Sequence, residues 1–356
     1  MSSASPTSAT SPAQLPPAFR LNQMIMSLWV PQVIHAAAEL GVADVLAEAP
    51  LSSGDVAARL GTHPDATDRL LRALVTLELL AARGDRFELT EMGRLLETSS
   101  PLSKRAWSRL MGGQGVWQAW GRLTDCVRTG RMAWGSGDGS ASSGTEHFDT
   151  LGRDPAAAAI FHQAMVELTR GVAPGIVGAI DLGGVRRVVD VGGGHGALLC
   201  AILEAHPAVE GAVFDLEHAR EGALALFASR GVAARASFVA GSCFDAAPPP
   251  ADVYVMKSVI HDWDDARSLQ ILGKCREAIA NGARLLVVEP PAPTARGNAT
   301  LDWILTFSDI NMLVNTGGRE RTEAEYRALL EAAGLCVTCV RETPSFFRVF
   351  EAVRAP

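Results

Sequence analysis

Five short runs rich in β-branched residues, all in the C-terminal half of the chain, end in or lead directly into side chains that can bind a ligand or move a proton. Asp190-Val191-Gly192-Gly193-Gly194-His195-Gly196 closes the first, Asp215 the second, and Gly241-Ser242 the third; the fourth runs into Lys257 and then His261, and the fifth ends in Glu289. Any one of these could be solvated or cap a helix. Five on one rim imply a binding edge, because in a doubly wound sheet ligands sit outside the carboxyl ends of the strands. Gly192, Gly194 and Gly196 permit a strand-to-helix turn whose backbone approaches a ligand closely. Asp215, 23 residues beyond Gly192, suits two ribose hydroxyls.

This combination reads as nucleoside recognition without choosing the nucleoside, since Gly192 to Ala197 also fits the G-x-G-x-x-A pattern that serves dinucleotides. Asp190 tips the choice. A carboxylate beside the loop is a poor neighbour for a pyrophosphate and a good one for an ammonium, which favours the methionine moiety of S-adenosylmethionine. His261, with an ordinary pKa near 6.5, is the candidate proton acceptor. A carboxylate on its other ring nitrogen would fix its tautomer and stabilise the imidazolium. Where a sulfonium and an incoming oxyanion meet in line, their charges neutralise, so a dry pocket that holds both favours the transition state. His195 is read only as filling the loop, and Asp262 and Asp264 as equally suited to capping the next helix or touching a ligand.

These side chains need a scaffold. From about residue 181 the runs Arg186 to Val191, Gly211 to Asp215, Ala236 to Gly241, Asp252 to Ser258 and Ala283 to Glu289 alternate with helical stretches such as Ala197 to Ala205 and Ala266 to Ala280, which implies a parallel sheet covered on both faces. Leu335 to Val340 and Phe346 to Val353 read as a closing antiparallel pair. Upstream, Phe19 to Leu40 reads as one amphipathic helix kinked at Pro31. Ser52-Ser53-Gly54-Asp55 starts a short helix, a second carries Leu70, Leu71, Leu74, Leu77 and Leu80 on one stripe, and a Gly84-Asp85 turn completes a winged helix-turn-helix. Residues 106–180 read as linking helices interrupted by a Gly/Ser stretch, Gly135 to Gly144. Trp107, Trp117 and Trp120 concentrate there, with Phe161 and Met165 four apart on a later helix. Core packing is the default for such residues, and an acceptor pocket the functional alternative.

Charge and cysteine usage narrow the partners. The 356 residues are 48% hydrophobic and 20% charged, with a formal net charge of -7, and Asp65, Asp68 and Glu78 beside Arg69 and Arg72 deny the second helix a basic face. Nucleic acid and anionic membranes are therefore disfavoured. Six scattered cysteines suggest a reducing cytoplasm. Cys336 and Cys339 form a CxxC within a strand-like run and are read as core rather than metal or redox residues. Residues 1–16 read as a disordered tail without a secretory signal, and no apolar run is long enough for a membrane span.

Val188-Val189-Asp190-Val191-Gly192-Gly193-Gly194-His195-Gly196, Phe214-Asp215-Leu216, Met256-Lys257-Ser258-Val259-Ile260-His261-Asp262-Trp263 and Gly317-Gly318-Arg319-Glu320-Arg321-Thr322 together resemble the ordered motifs of the caffeic acid and hydroxyindole type of O-methyltransferases, including bacterial natural-product enzymes. The likeness runs from about residue 20 through nearly the whole chain. It implies an α/β, Rossmann-like doubly wound methyltransferase sheet over residues 181–356, an N-terminal helical winged-helix dimerisation domain over 17–105, a homodimer, and metal-free methyl transfer to a hydroxyl, phenolic by preference, of a small aromatic acceptor. By the same resemblance Asp190, Gly192, Gly194, Asp215, Gly241, Ser242, Cys243 and Lys257 bind S-adenosylmethionine. His261 matches the base, with Glu289 and Glu320 flanking it, and Trp117, Phe161, Met165, Asn311 and Met312 line the acceptor pocket. Ser242 stands where the family usually has Asp and forfeits a charge-assisted acceptor. Two other readings remain at this level: a relative that uses the same donor for a non-methylating step, and a nucleoside-sensing winged-helix regulator.

Overall fold

The computed structural model describes residues 15–134, 146–280, 282–294 and 298–356, so the Gly135 to Gly144 stretch and residues 1–14 of the expected tail lie outside the described residues. The chain divides into two compact units, Met1–Gly113 and Gln114–Pro356. Among the described residues no helix is long and apolar enough to cross a membrane.

In the first unit, Pro17–Met26 and Trp29–Leu40 are separate helices. The break falls at Ser27 and Leu28 rather than at Pro31, for a reason built into proline. Its ring would collide with the carbonyl four residues earlier, that of Ser27, and it has no N–H to bond it, so Pro31 takes a place in the first turn of the second helix. Ser52 caps the helix Ser53–Leu60 through a capping box: its Oγ accepts from the Asp55 N–H, and the Asp55 carboxylate accepts from the Ser52 N–H. Helix Pro64–Thr76 buries Leu71 and Leu74. Leu80, expected on the same stripe, instead opens a strand. Strands β1 (Leu51–Ser52), β2 (Leu80–Arg83) and β3 (Arg86–Leu89) pair antiparallel in the order β1-β3-β2, with Arg83 opposite Arg86 across the Gly84-Asp85 turn. Arg69 and Arg72 each pair with an aspartate one turn back, Asp65 and Asp68.

The second unit is built on β4 (Arg187–Val191), β5 (Glu210–Asp215), β6 (Ala236–Ala240), β7 (Val253–Lys257), β8 (Arg284–Glu289), β9 (Leu335–Glu342) and β10 (Arg348–Arg354), in the order β6-β5-β4-β7-β8-β10-β9. The first five run parallel, and β10 lies antiparallel between β8 and β9. Alternate residues feed two cores. Val188, Val255, Leu286 and Val288 pack on one face with helix Ala197–Ala205, whereas Val189, Val191, Tyr254, Met256, Leu285 and Val287 pack on the other with helix Asp265–Ala278. Burial on both faces explains why these strands read as unbroken apolar runs. On the outer strand β9 the side chains alternate, and Cys336 is exposed rather than part of the core; Cys336 and Cys339 are both free thiols.

The strand order reverses between β4 and β7, which opens a crevice at their carboxyl ends. Gly192 stands there with φ 68°, and a Cβ on it would come within 2.8 Å of Val259 Cγ2. Handedness and space both require glycine. Beyond β7 the chain makes a tight turn, Ile260–Asp262, held from three sides. Glu289 Oε1 accepts from the N–H groups of Val259 (3.0 Å) and Ile260 (2.8 Å). The buried guanidinium of Arg321 donates to the carbonyls of Ile260 (3.0 Å) and Trp263 (2.8 Å) and pairs with Asp265 at 2.7 Å. The Arg319 N–H donates to the His261 carbonyl at 2.9 Å, and any Cβ on Gly318 would collide with that carbonyl.

Arg321→Met keeps the bulk but takes the charged donor from the Ile260 and Trp263 carbonyls, leaving them the longer bonds from Ser268 Oγ at 3.4 Å and, for Ile260, the Trp263 N–H at 3.2 Å. Each hydrogen bond to a charged group so lost costs about 1.5–3 kcal/mol. The variant should lose about 2–5 kcal/mol of unfolding free energy in a urea titration. A loss below about 1 kcal/mol would mean that the guanidinium is not what holds the turn.

Candidate functional site

The carboxyl edge of the sheet gathers Asp190, the glycine loop, Asp215, Ser242, Cys243, Lys257, His261 and Glu289, the residues that the strand ends singled out. Asp215 is held ready: its Oδ2 accepts from the Gly194 N–H and its Oδ1 from the Leu216 N–H, both at 2.6 Å. Each oxygen keeps a lone pair for a ligand. Burial raises the Asp215 pKa, and the two N–H bonds oppose that rise. Asp190 is 1% exposed and its Oδ2 has no hydrogen-bond partner. Its carboxyl is pushed up to about 7 by burial and by the neighbouring Asp215, with Lys257 opposing. A Cβ on Gly193 would run into this carboxylate, so only glycine lets the loop backbone pack against it. A buried acceptor with one unanswered oxygen suits a cationic group, and the loop and Asp215 suit a nucleoside; these residues fit the two ends of S-adenosylmethionine.

Ser242 Oγ accepts from the Phe244 N–H at 3.2 Å, which turns the chain after β6. Burial pushes the Cys243 thiol up to about 12, so it offers a neutral surface rather than a thiolate. Lys257 Nζ donates to Ser258 Oγ at 3.2 Å and lies 4.9 Å from the Phe347 ring centroid. Burial lowers its pKa, while Glu289, Asp190 and Asp262 counteract that shift.

His261 sits at the far side of the edge. Its Nδ1 is 3.0 Å from Glu320 Oε1 and 3.9 Å from Glu289 Oε2. Glu320 Oε1 also accepts from Ser308 Oγ at 2.6 Å. Glu289 Oε2 and Glu320 Oε2 have no hydrogen-bond partner, so much of their negative charge is answered by the imidazole. Burial works against a charge on His261, but Glu289 and Glu320 outweigh it and push the pKa up to about 10. The unperturbed value of 6.5 does not apply to this ring. Because the folded pKa is raised, the stability contributed by the imidazolium is fully present below pH 6.5 and is lost as pH climbs through about 10. Asp262 does not cap the following helix. Asp264 does, accepting from the Arg267 N–H at 2.8 Å. Asp262 instead faces the other edge of the ring, its Oδ1 3.8 Å from Nε2, with its own pKa pushed up to about 7 chiefly by burial.

Four aromatic side chains pack one on the next. Phe161 packs edge-on to Phe148 with centroids 6.2 Å apart, Phe148 lies 5.4 Å from Trp263, and Trp263 lies 4.7 Å from Phe244, next to Cys243. Asn311 Oδ1 accepts from Trp120 Nε1 at 3.0 Å and from Asn315 Nδ2 at 2.9 Å. Met312 is buried, Met165 partly so, and Trp117 is 39% exposed. Reading the sequence alone gave no role to Arg321 or Ser308. Arg321 lies inside the Gly317 to Thr322 motif and was visible there as a charge, but nothing local told that it would be dry.

The sequence pattern of an O-methyltransferase domain matches residues 120–336, and that of an O-methyltransferase dimerisation domain matches residues 22–99. A phenazine O-methyltransferase of Lysobacter antibioticus is 34% identical over 333 residues, 93% of this chain and 95% of that protein. An 8-amino-8-demethylriboflavin N,N-dimethyltransferase of Streptomyces davaonensis is 32% identical over 338 residues, 93% of this chain and 94% of that protein. An O-methyltransferase from neocarzinostatin biosynthesis, crystallised with S-adenosylmethionine and 2-hydroxy-5-methyl naphthoic acid, superposes with a TM-score of 0.75 at 34% identity, covering 91% of this chain and 96% of that one. The chain belongs to the family of S-adenosylmethionine-dependent O-methyltransferases that carry an N-terminal dimerisation domain.

Proposed function

We propose that the protein methylates a phenolic hydroxyl of a small planar acceptor, with His261 as the general base. The observation that carries this reading is His261 Nδ1 held at 3.0 Å by Glu320 on the same sheet edge as the glycine loop. S-adenosylmethionine, when bound, supplies an electrophilic methyl carbon. Asp215 would hold the ribose hydroxyls, the free oxygen of Asp190 the ammonium, and the backbone of Gly192 and Gly194 the space between. Gly241, Ser242, Cys243 and Lys257 complete the site. Ser242 offers a neutral hydroxyl to the adenine side where an aspartate would offer a charge.

The remaining residues act on the acceptor. Trp117, Phe161, Met165, Asn311 and Met312 line its pocket, and the packed rings of Phe161, Phe148 and Trp263 suit a flat ring. His261 takes the hydroxyl proton on Nε2 while Glu320 holds Nδ1–H, and Glu289 adds a second negative charge that stabilises the resulting imidazolium. A base so equipped favours an oxygen acceptor, since a hydroxyl must be deprotonated and a neutral amine already carries its lone pair. Residues 17–105 serve as the dimerisation domain, 106–180 as linking helices, and 181–356 as the cofactor domain.

Four outcomes test this reading. His261→Ala should lower single-turnover methyl transfer by at least about 10²-fold with cofactor affinity near wild type; transfer at the wild-type rate would remove His261 from the mechanism. Because the pKa of His261 is raised to about 10, the wild-type rate should climb with pH toward that value. Glu320→Gln removes one charge that favours the imidazolium, so its rising limb should move to lower pH, and an unmoved limb would disconnect Glu320 from the base. Finally, helix Pro17–Met26 has no buried residue, and Phe19, Leu21, Met24 and Ile25 are each 57% to 63% exposed. A second copy of the chain covers this face. Light scattering should return twice the chain mass, and a monomer at micromolar concentration would contradict it.

A further inference from the structure

Three histidines outside the base cluster pack on one another at the glycine loop. His162, on helix Pro155–Ala179, is 4% exposed. Its Nε2 lies 3.0 Å from Nδ1 of His218, in the turn Glu217–Ala219 that follows β5. Its ring stacks on that of His195, within the loop itself, with centroids 4.6 Å apart and planes 25° from parallel. The fit is close: a Cβ on Gly194 would come to 3.2 Å from His162 Nδ1, and one on Gly222 would collide with the His195 ring. Gly194, pressed from one side by His162, is the residue whose N–H holds Asp215 at 2.6 Å.

We propose that the His162–His195–His218 stack is a positioning element for the cofactor loop, and that it keeps the loop ordered only while its rings are uncharged. The proposal rests on the reading of Gly192, Gly194 and Asp215 as the cofactor site. The hydrogen bond between His162 and His218 needs one bare ring nitrogen, and stacked rings repel once both are charged. Asp215 faces His218 and offers it a counter-charge. Among the described residues, the titratable groups that face His162 are His195 and His218, and those that face His195 are His162 and His218. Helix Arg220–Ser229 presents Gly222 to His195, and helix Glu146–Arg153 presents Gly152 to His218. Burial accordingly lowers His162 to about 3 and His195 to about 4.

The sign follows from these lowered values. Both rings are neutral in the ordered loop and free to take a proton near pH 6.5 when the loop opens, so below that pH each favours opening by about tenfold per pH unit. A ligand that binds only the ordered loop loses affinity with the same slope once opening competes.

S-adenosylhomocysteine titrated calorimetrically between about pH 8 and pH 5 tests this in the wild type, in His162→Gln, whose amide still meets His218 but never charges, and in His162→Gln/His195→Asn. Wild-type affinity should fall at least about tenfold from pH 6.5 to pH 5, less in the single variant, and least in the double, which removes two of the three rings. Curves for wild type and double variant that superimpose, each scaled to its own value at neutral pH, overturn the proposal. Asp215→Ala separates the two readings. If it binds like wild type, the cofactor-site reading falls and this proposal with it; if it binds weakly while the double variant keeps the wild-type pH profile, only this proposal falls. Should the double variant not fold, amide exchange on the wild-type protein decides. The Gly194 and Leu216 amides should lose protection between pH 6.5 and pH 5 while those of β7 and β8 keep it, and retained protection at Gly194 overturns the proposal.

Discussion

Glu289 has no exposed surface, yet its carboxylate holds the turn that carries His261. A buried carboxylate persists only where donors or a counter-charge answer it. One oxygen takes two backbone N–H groups and the other faces the imidazole, so the same side chain fixes the backbone of the turn and sets the charge of the ring. Glu320 repeats the arrangement from a different segment, with Ser308 as its donor. Take away the negative pair and the imidazolium has no reason to exist in a dry place; take away the imidazole and two carboxylates repel each other without relief.

The opposite end of the edge solves the same problem differently. Asp215 receives loop N–H groups on both oxygens, whereas Asp190 is left one donor short, with its neighbour reduced to a glycine. Asp215 is thereby held in place while each oxygen keeps a lone pair for a ligand, and Asp190 keeps one oxygen that no described residue answers with a hydrogen bond. Between them runs the crevice where the strand order reverses, the one place along the edge where β4 and its neighbour β7 feed chain to opposite sides.

Much of this was legible in the sequence, because strand periodicity and strand-end chemistry are local. The seven strands and their polar ends follow from runs of five to eight residues, and Ser52 with Asp55 announces its cap within four. What was missed depends on partners far apart in the chain or on dielectric. Arg321 reaches carbonyls about sixty residues earlier, and no window on the sequence reveals that a surface-type residue will be dry. Leu80 kept the helical period after the helix had stopped, since leucine serves a strand as well. Asp262 and Asp264 are two apart and of one type, so only the turn between them decides which caps. His195 looked like filler because its stacking partner lies 33 residues away.

The place of β10 has a consequence for how the protein is made. It follows β9 in the chain but inserts between β9 and β8, with Arg348 opposite Glu289 in register. A ribosome releases β8 about sixty residues before β10, so through that interval the edge of β8 is open and pairs with nothing native. A nascent chain paused there already holds Asp190, Asp215, His261 and Glu289, yet water still reaches the strand that carries Glu289. The burial that leaves Glu289 and the imidazole of His261 to answer each other arrives with the last strand, and the site acquires its electrostatics later than it acquires its residues.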